Sequence, residues 1–227
     1  MPAPSLDGSG VIEAAINDVS SYTSSAGAKT TSGSNRVGAV IVAGYMFGTS
    51  DPNGTTVTWG GVSMDKVGEA HYSGDDDLVA ILYRILAPPT SGSTIAATFA
   101  GNLTGGVIVA SYQDVDQSTP FGAVATANGN SGTASVNVSA AVGDLVIDAL
   151  MFSNAPTVGA GQTEVGNINQ ADKYAGHSYE AGAASVTMSW TATSTFWAIV
   201  GVALKAVASL DLSITVGPEA QPASTAF

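Results

Sequence analysis

Two apolar runs, residues 107–112 (VIVASY) and 145–152 (LVIDALMF), constrain the fold more than any other feature of the chain. Both are dense in β-branched, aromatic and large aliphatic residues, and both are too short for helices of a compact domain, so they read as buried strands. Between them, residues 134–140 (ASVNVSA) alternate valines with small or polar residues, the period of a half-buried strand. Turn chemistry separates the runs at Ser118-Thr119-Pro120, at Asn128-Gly129-Asn130 with Ser131-Gly132, and at Gly143-Asp144.

The pattern extends in both directions. Residues 36–47 (RVGAVIVAGYMF), 78–86 (LVAILYRIL) and 196–207 read as core strands, and residues 55–59 and 184–190 alternate. Residues 11–18 read as a strand, and residues 162–179 carry no clear period. Asp51-Pro52-Asn53-Gly54, Gly60-Gly61, Pro88-Pro89 and the stretch from Gly101 to Gly105 mark further turns. Many short strands with frequent turns and no convincing helix predict an all-β chain, an antiparallel two-sheet sandwich of jelly-roll-like form. No repeat is visible at solenoid or propeller period. The 227 residues divide into an N-terminal arm (1–10), a sandwich domain (11–207) and a C-terminal tail (208–227).

Only 11% of residues are charged, and the formal net charge is −12. Six scattered cations (Lys29, Arg36, Lys66, Arg84, Lys173 and Lys205) make no basic patch, so nucleic acid is excluded as a partner. The absence of cysteine removes disulfides and zinc-thiolate sites. The first residues have neither a basic n-region nor an apolar h-region, so no signal peptide is expected. No apolar run approaches the roughly 18 residues of a membrane-spanning helix, and no membrane partner is expected.

Residues 56–70 (TVTWGGVSMDKVGEA) with the Trp59-Gly60-Gly61 hairpin, the Pro88-Pro89 break, the loop 112–120 (YQDVDQSTP) and the strand entry Gly143-Asp144-Leu145-Val146 form a recognisable succession. On these motifs the chain from Thr55 to Leu150 resembles β-sandwich modules of bacterial surface proteins and phage virion proteins. The resemblance implies a structural or adhesive module in a larger assembly. None of these motifs is a catalytic signature.

Each candidate for chemistry has a plainer reading. Gly176-His177-Ser178-Tyr179-Glu180 begins like a nucleophile turn, but the closing glycine is Glu180, so Ser178 reads as an ordinary strand or loop serine. Asp75, Asp76 and Asp77, with Asp51, Asp65 or Asp116, would suit a cation, yet no calcium-loop spacing is present and acidic runs are commonly solvated tips. His71 and His177 are far apart in the chain. No cofactor or metal is assigned. Trp59 and Trp190 are candidates for a sugar-stacking platform, provided their rings are exposed. Arg84 and Asp148 each interrupt an apolar strand and are expected to face one another, because an unpaired buried charge is costly. In the tail, Leu210, Leu212, Ile214 and Val216 alternate as one face of a strand and are candidate assembly residues.

Together these features predict a non-enzymatic structural protein of a bacteriophage virion, a decoration or cement protein on the capsid exterior. Its expected partners are the major capsid protein or other virion subunits and further copies of itself. The alternative is a carbohydrate- or host-surface-binding module of fibre or adhesin type, at the cell surface or outside the cell.

Overall fold

A computed structural model describes residues 2–47, 52–74 and 77–208. The expected antiparallel two-sheet sandwich is what the chain forms. Its strands are β1 (Ser5–Leu6), β2 (Ile12–Thr23), β3 (Val37–Phe47), β4 (Thr56–Trp59), β5 (Val62–Ser63), β6 (Asp65–Ser73), β7 (Asp77–Leu86), β8 (Ile95–Gln113), β9 (Ala125–Val138), β10 (Leu145–Phe152), β11 (Thr157–Val158), β12 (Thr163–Gln170), β13 (Lys173–Ala181) and β14 (Val186–Leu204). One turn of 3-10 helix, Pro52–Gly54, precedes β4.

Each sheet comes from one contiguous half of the chain. The first runs β5-β4-β8-β3-β7-β6, with β1 and β2 also paired to β8; the second runs β11-β14-β10-β13-β12, with β9 also paired to β14. Apart from β1 and β5, which have no counterpart, the two orders match: β2 corresponds to β9, β3 to β10, β4 to β11, β6 to β12, β7 to β13 and β8 to β14. The contacts across the sandwich are reciprocal in the same sense. β6 touches β9 and β14 while β12 touches β2 and β8; β7 touches β10 and β14 while β13 touches β3 and β8. Even an irregularity recurs, a register shift between Lys66 and Gly68 in β6 and between Glu164 and Gly166 in β12. Lys66-Val67-Gly68-Glu69 and Glu164-Val165-Gly166-Asn167 are therefore equivalent segments. The molecule is an internal duplication, a first repeat (12–113) and a second (125–204), at a period far longer than a solenoid or propeller unit.

Strand periodicity sorts the side chains into three cores. Ala39, Ile41, Leu82, Ile108, Ile147, Met151, Val200 and Val202 face inward between the sheets. Because β8 and β14 are each 19 residues long, each sheet also curls over its own outer face. In the first repeat Val40, Val42, Ile81 and Val107 are covered by Val57, Trp59 and Phe99. In the second, Val146, Leu150 and Ile199 are covered by Val136, Met188 and Trp190. Each such side chain contributes about 1.5–3 kcal/mol on burial, which suits a fold that lacks disulfides.

Three expected turns or arms are something else. Asn128 to Gly132 lies inside β9, because Gly129 passes beneath the Trp197 ring, where a Cβ would come within 2.7 Å of Cζ2. Gly101 to Gly105 lies inside β8, because Gly105 meets the backbone of β3 at Gly44, closer than any side chain permits. The N-terminal arm is not free. β1 pairs with the end of β8, and the Asp7 backbone N–H donates to the Ser111 carbonyl at 2.9 Å. The tail from residue 209, with Leu210, Leu212, Ile214 and Val216, lies outside the described residues.

Candidate functional site

Two polar clusters lie inside the protein. In the second repeat, register places Asp148 of β10 opposite Ser178 of β13 on the outer face of the sheet, beneath Trp190. The Asp148 carboxylate accepts from the Ser178 backbone N–H (2.6 Å), the Ser178 hydroxyl (2.8 Å) and Trp190 Nε1 (2.6 Å). Ser178 Oγ in turn accepts from Gln162 Nε2 at 2.7 Å. Burial pushes the Asp148 pKa up to about 6, although the three donors favour its charged form. His177, next along β13, points to the opposite face. Its Nδ1–H donates to the Asp148 backbone carbonyl (2.5 Å), which leaves Nε2 to accept from the Tyr112 hydroxyl (2.6 Å). Burial holds this imidazole down to about 4, so it is neutral at pH 7.

Ser, His and Asp thus sit within a few ångströms without forming a nucleophilic triad. All three are fully buried, and the imidazole is on the far side of the sheet from the hydroxyl. Asp148 does not pair with Arg84, contrary to expectation. The buried carboxylate is satisfied by neutral donors of its own sheet, whereas the Arg84 guanidinium reaches Asp65 at 3.5 Å and lies 5.2 Å above the Phe121 ring.

The second cluster fastens the N-terminal segment. Asp7 accepts from Ser111 Oγ (2.6 Å), Ser9 Oγ (2.5 Å), the Ser9 N–H (2.9 Å) and the Ser32 N–H (3.0 Å). Burial raises its carboxyl, but these bonds outweigh that effect and leave its pKa below the usual value. Buried Lys29 donates from Nζ to Ser9 Oγ (3.0 Å) and to the Gly10 carbonyl (2.5 Å). Desolvation lowers its pKa, opposed by the nearby Asp7 charge. Ser9 Oγ also lies near the Thr30 carbonyl (2.9 Å), so its hydrogen-bonding capacity is spent and the cluster acts as a clasp.

Trp59 and Trp190, proposed from sequence as a sugar platform, are both fully buried and offer no face to a ligand. The alternation around each ring was the mark of an outer core. Asp75, Asp76 and Asp51 lie outside the described residues. Asp65 faces Arg84, and Asp116 accepts the backbone N–H of Ser118 and Thr119 (2.7 and 3.1 Å). Among the described residues no three His, Asp or Glu side chains gather as a metal site.

Open to solvent is a groove of about 200 Å³ lined by Lys66 and Val67 of β6, Arg84 of β7, and Phe121 and Val124 of the segment joining the repeats. Phe121 is placed by a β-bridge to Leu204, and Val124 by packing against Gly68, where a Cβ would come within 2.6 Å of it. Two of the six cations therefore frame an apolar floor on a strongly acidic protein. Sequence reasoning missed the groove because Lys66, Arg84 and Phe121 are far apart in the chain.

Comparison with protein-family models, with curated proteins and with solved structures returns no match.

Proposed function

We propose that this protein is a non-enzymatic structural module of a bacteriophage virion, a decoration or cement protein on the capsid exterior that works among further copies of itself. The observation that carries the reading is the inward turn of its reactive chemistry. Ser178, His177, Asp148 and Lys29 are all buried and consumed in holding the fold. The groove at Lys66, Arg84, Phe121 and Val124 is small and suited to docking a chain segment rather than processing a substrate. The resemblance of residues 55–150 to virion and surface modules points the same way, and burial of Trp59 and Trp190 disfavours a sugar-binding module built on them.

The test is mass spectrometry of purified particles from the source of this sequence. The expected result is this chain at a fixed ratio to the major shell subunit, released without loss of the shell under mild dissociation. Its absence from particles, or recovery only from the cell envelope, would overturn the virion assignment.

A further inference from the structure

β6 ends the first sheet, and among the described residues no strand is hydrogen-bonded to its outer edge; β12 holds the same position in the second sheet. The two edges are treated differently. At β12 the Glu13 carboxylate lies against Gly166 and accepts the Asn167 backbone N–H at 3.0 Å, a charge on the exposed edge that discourages strand addition. At β6 the side chain lying against the equivalent Gly68 is that of Val124, which carries no acceptor. The groove of Lys66, Val67, Arg84, Phe121 and Val124 opens at the start of this edge.

We infer that the β6 edge and its groove receive residues 209–216 (SLDLSITV) of a second copy of this chain. The inference rests on the assembly role proposed above and specifies how copies join. The segment has the required pattern. Leu210, Leu212, Ile214 and Val216 share one face of an extended strand, and Asp211 falls on the other, between two leucines. Residues 209–227 carry Asp211 and Glu219 and no cation, so they bring no like charge to Lys66 and Arg84, which pair within the chain with Glu69 and Asp65. A strand added to β6 gains main-chain hydrogen bonds and places one leucine between Phe121 and Val124, while Asp211 on the opposite face stays in solvent.

The direction of exit favours a neighbour over the chain's own groove. Leu204 is bridged to Phe121 at the groove, but Ala206 is bridged to Val115, so the chain leaves heading away from Phe121. From Ala208, the segment to Val216 reaches about 25–30 Å when extended, enough to cross to an adjacent subunit. The contact is heterologous, tail into groove, and generates rings or open arrays rather than an isolated pair.

The experiment uses full-length chains in sedimentation velocity over a wide concentration range. A groove variant (Lys66→Glu with Arg84→Glu) and a tail variant (Leu212→Asp with Ile214→Asp) are measured alone and mixed. Wild type is expected to associate with rising concentration, and each variant to weaken association by about tenfold or more. The mixture should regain heterodimers, because one variant keeps an intact groove and the other an intact tail. Should the groove variant misfold, Arg84→Gln and Val124→Gln each replace it. A labelled peptide of residues 208–217 should also bind the tail variant and lose affinity for either of these. Wild type that stays monomeric, variants that associate like wild type, or a mixture without heterodimers would each overturn the inference. Particle composition is read separately, so failure here leaves the virion reading standing, and failure there leaves the groove standing.

Discussion

The two repeats share strand order, reciprocal contacts and a displaced residue in the same edge strand, yet they distribute polar groups in opposite ways. Beneath its outer cover the first repeat is apolar: β3 presents Val40 and Val42, and the Trp59 indole N–H is buried without a hydrogen-bond partner. The second repeat places Asp148 there, and its tryptophan, Trp190, donates to that carboxylate. At the edges the relation reverses. The second repeat's β12 is sealed by Glu13, while the first repeat's β6 adjoins an open groove. One scaffold supports two solutions because the sheet geometry depends on register and apolar periodicity, and either outer core or edge chemistry is compatible with both. The first repeat leaves an edge strand beside a solvent-open groove, and the second is tied down from within.

The sharpest way to expose the difference is pH. Asp148 has a native pKa of about 6 against an unfolded value of 3.8, so the folded state holds more protons between them. Its favourable contribution is complete below about pH 4 and is lost as pH rises through 6. His177 runs the other way. With a native pKa of about 4 against 6.5, its contribution is complete above about pH 6.5 and is lost as pH falls through 4. Each amounts to roughly 3 kcal/mol, and the two slopes oppose one another. Stability of the wild type, read by chemical denaturation, should be nearly level from pH 4 to 6.5. Asp148→Asn should leave a rise with pH, and His177→Gln a fall. Parallel pH profiles for all three proteins would show that the buried network does not titrate as described.

A smaller effect compares the tryptophans directly. Trp→Phe removes similar volume at either site, but at Trp190 it also strips a donor from a buried carboxylate, while Trp59 has no such bond to lose. Trp190→Phe should therefore cost about 2 kcal/mol more than Trp59→Phe in thermal or denaturant unfolding. Equal costs would remove the polar distinction between the two outer cores.

The strands were legible in the sequence where periodicity was strong. The runs that became β3, β7, β10 and the end of β8 needed only their apolar pattern. The duplication was not legible, because equivalent positions share packing roles rather than residue types. Counting inward from Val37↔Tyr112 and from Leu145↔Leu204, the eighth pair is Gly44↔Gly105 in one repeat and Phe152↔Trp197 in the other. Only the Val-Gly of the two bulges is common to both edge strands, too little to notice unaided. Glycine misled in two places for a single reason: Gly105 and Gly129 serve close approach within long strands, whereas local sequence reads them as turns. Asp148 was recognised as anomalous, but its partners Ser178 and Trp190 lie 30 and 42 residues away and come together only by register.

The least costly perturbation converts one edge into the other. Glu13→Val removes the cap on the Asn167 N–H and gives β12 the apolar neighbour that β6 has in Val124. A loss of about 1 kcal/mol is expected, together with new self-association through β12. An unchanged oligomeric profile would mean that the carboxylate does not guard this edge.

Hydrogen exchange followed by mass spectrometry, on the wild-type chain at low and at high concentration, tests the division of labour between the repeats most directly. Residues 65–73 of β6 and the segment 209–216 should gain protection together as copies associate, while residues 163–170 of β12 remain unchanged. Protection appearing at β12 instead, or equally at both edges, would contradict the assignment of recognition to the first repeat.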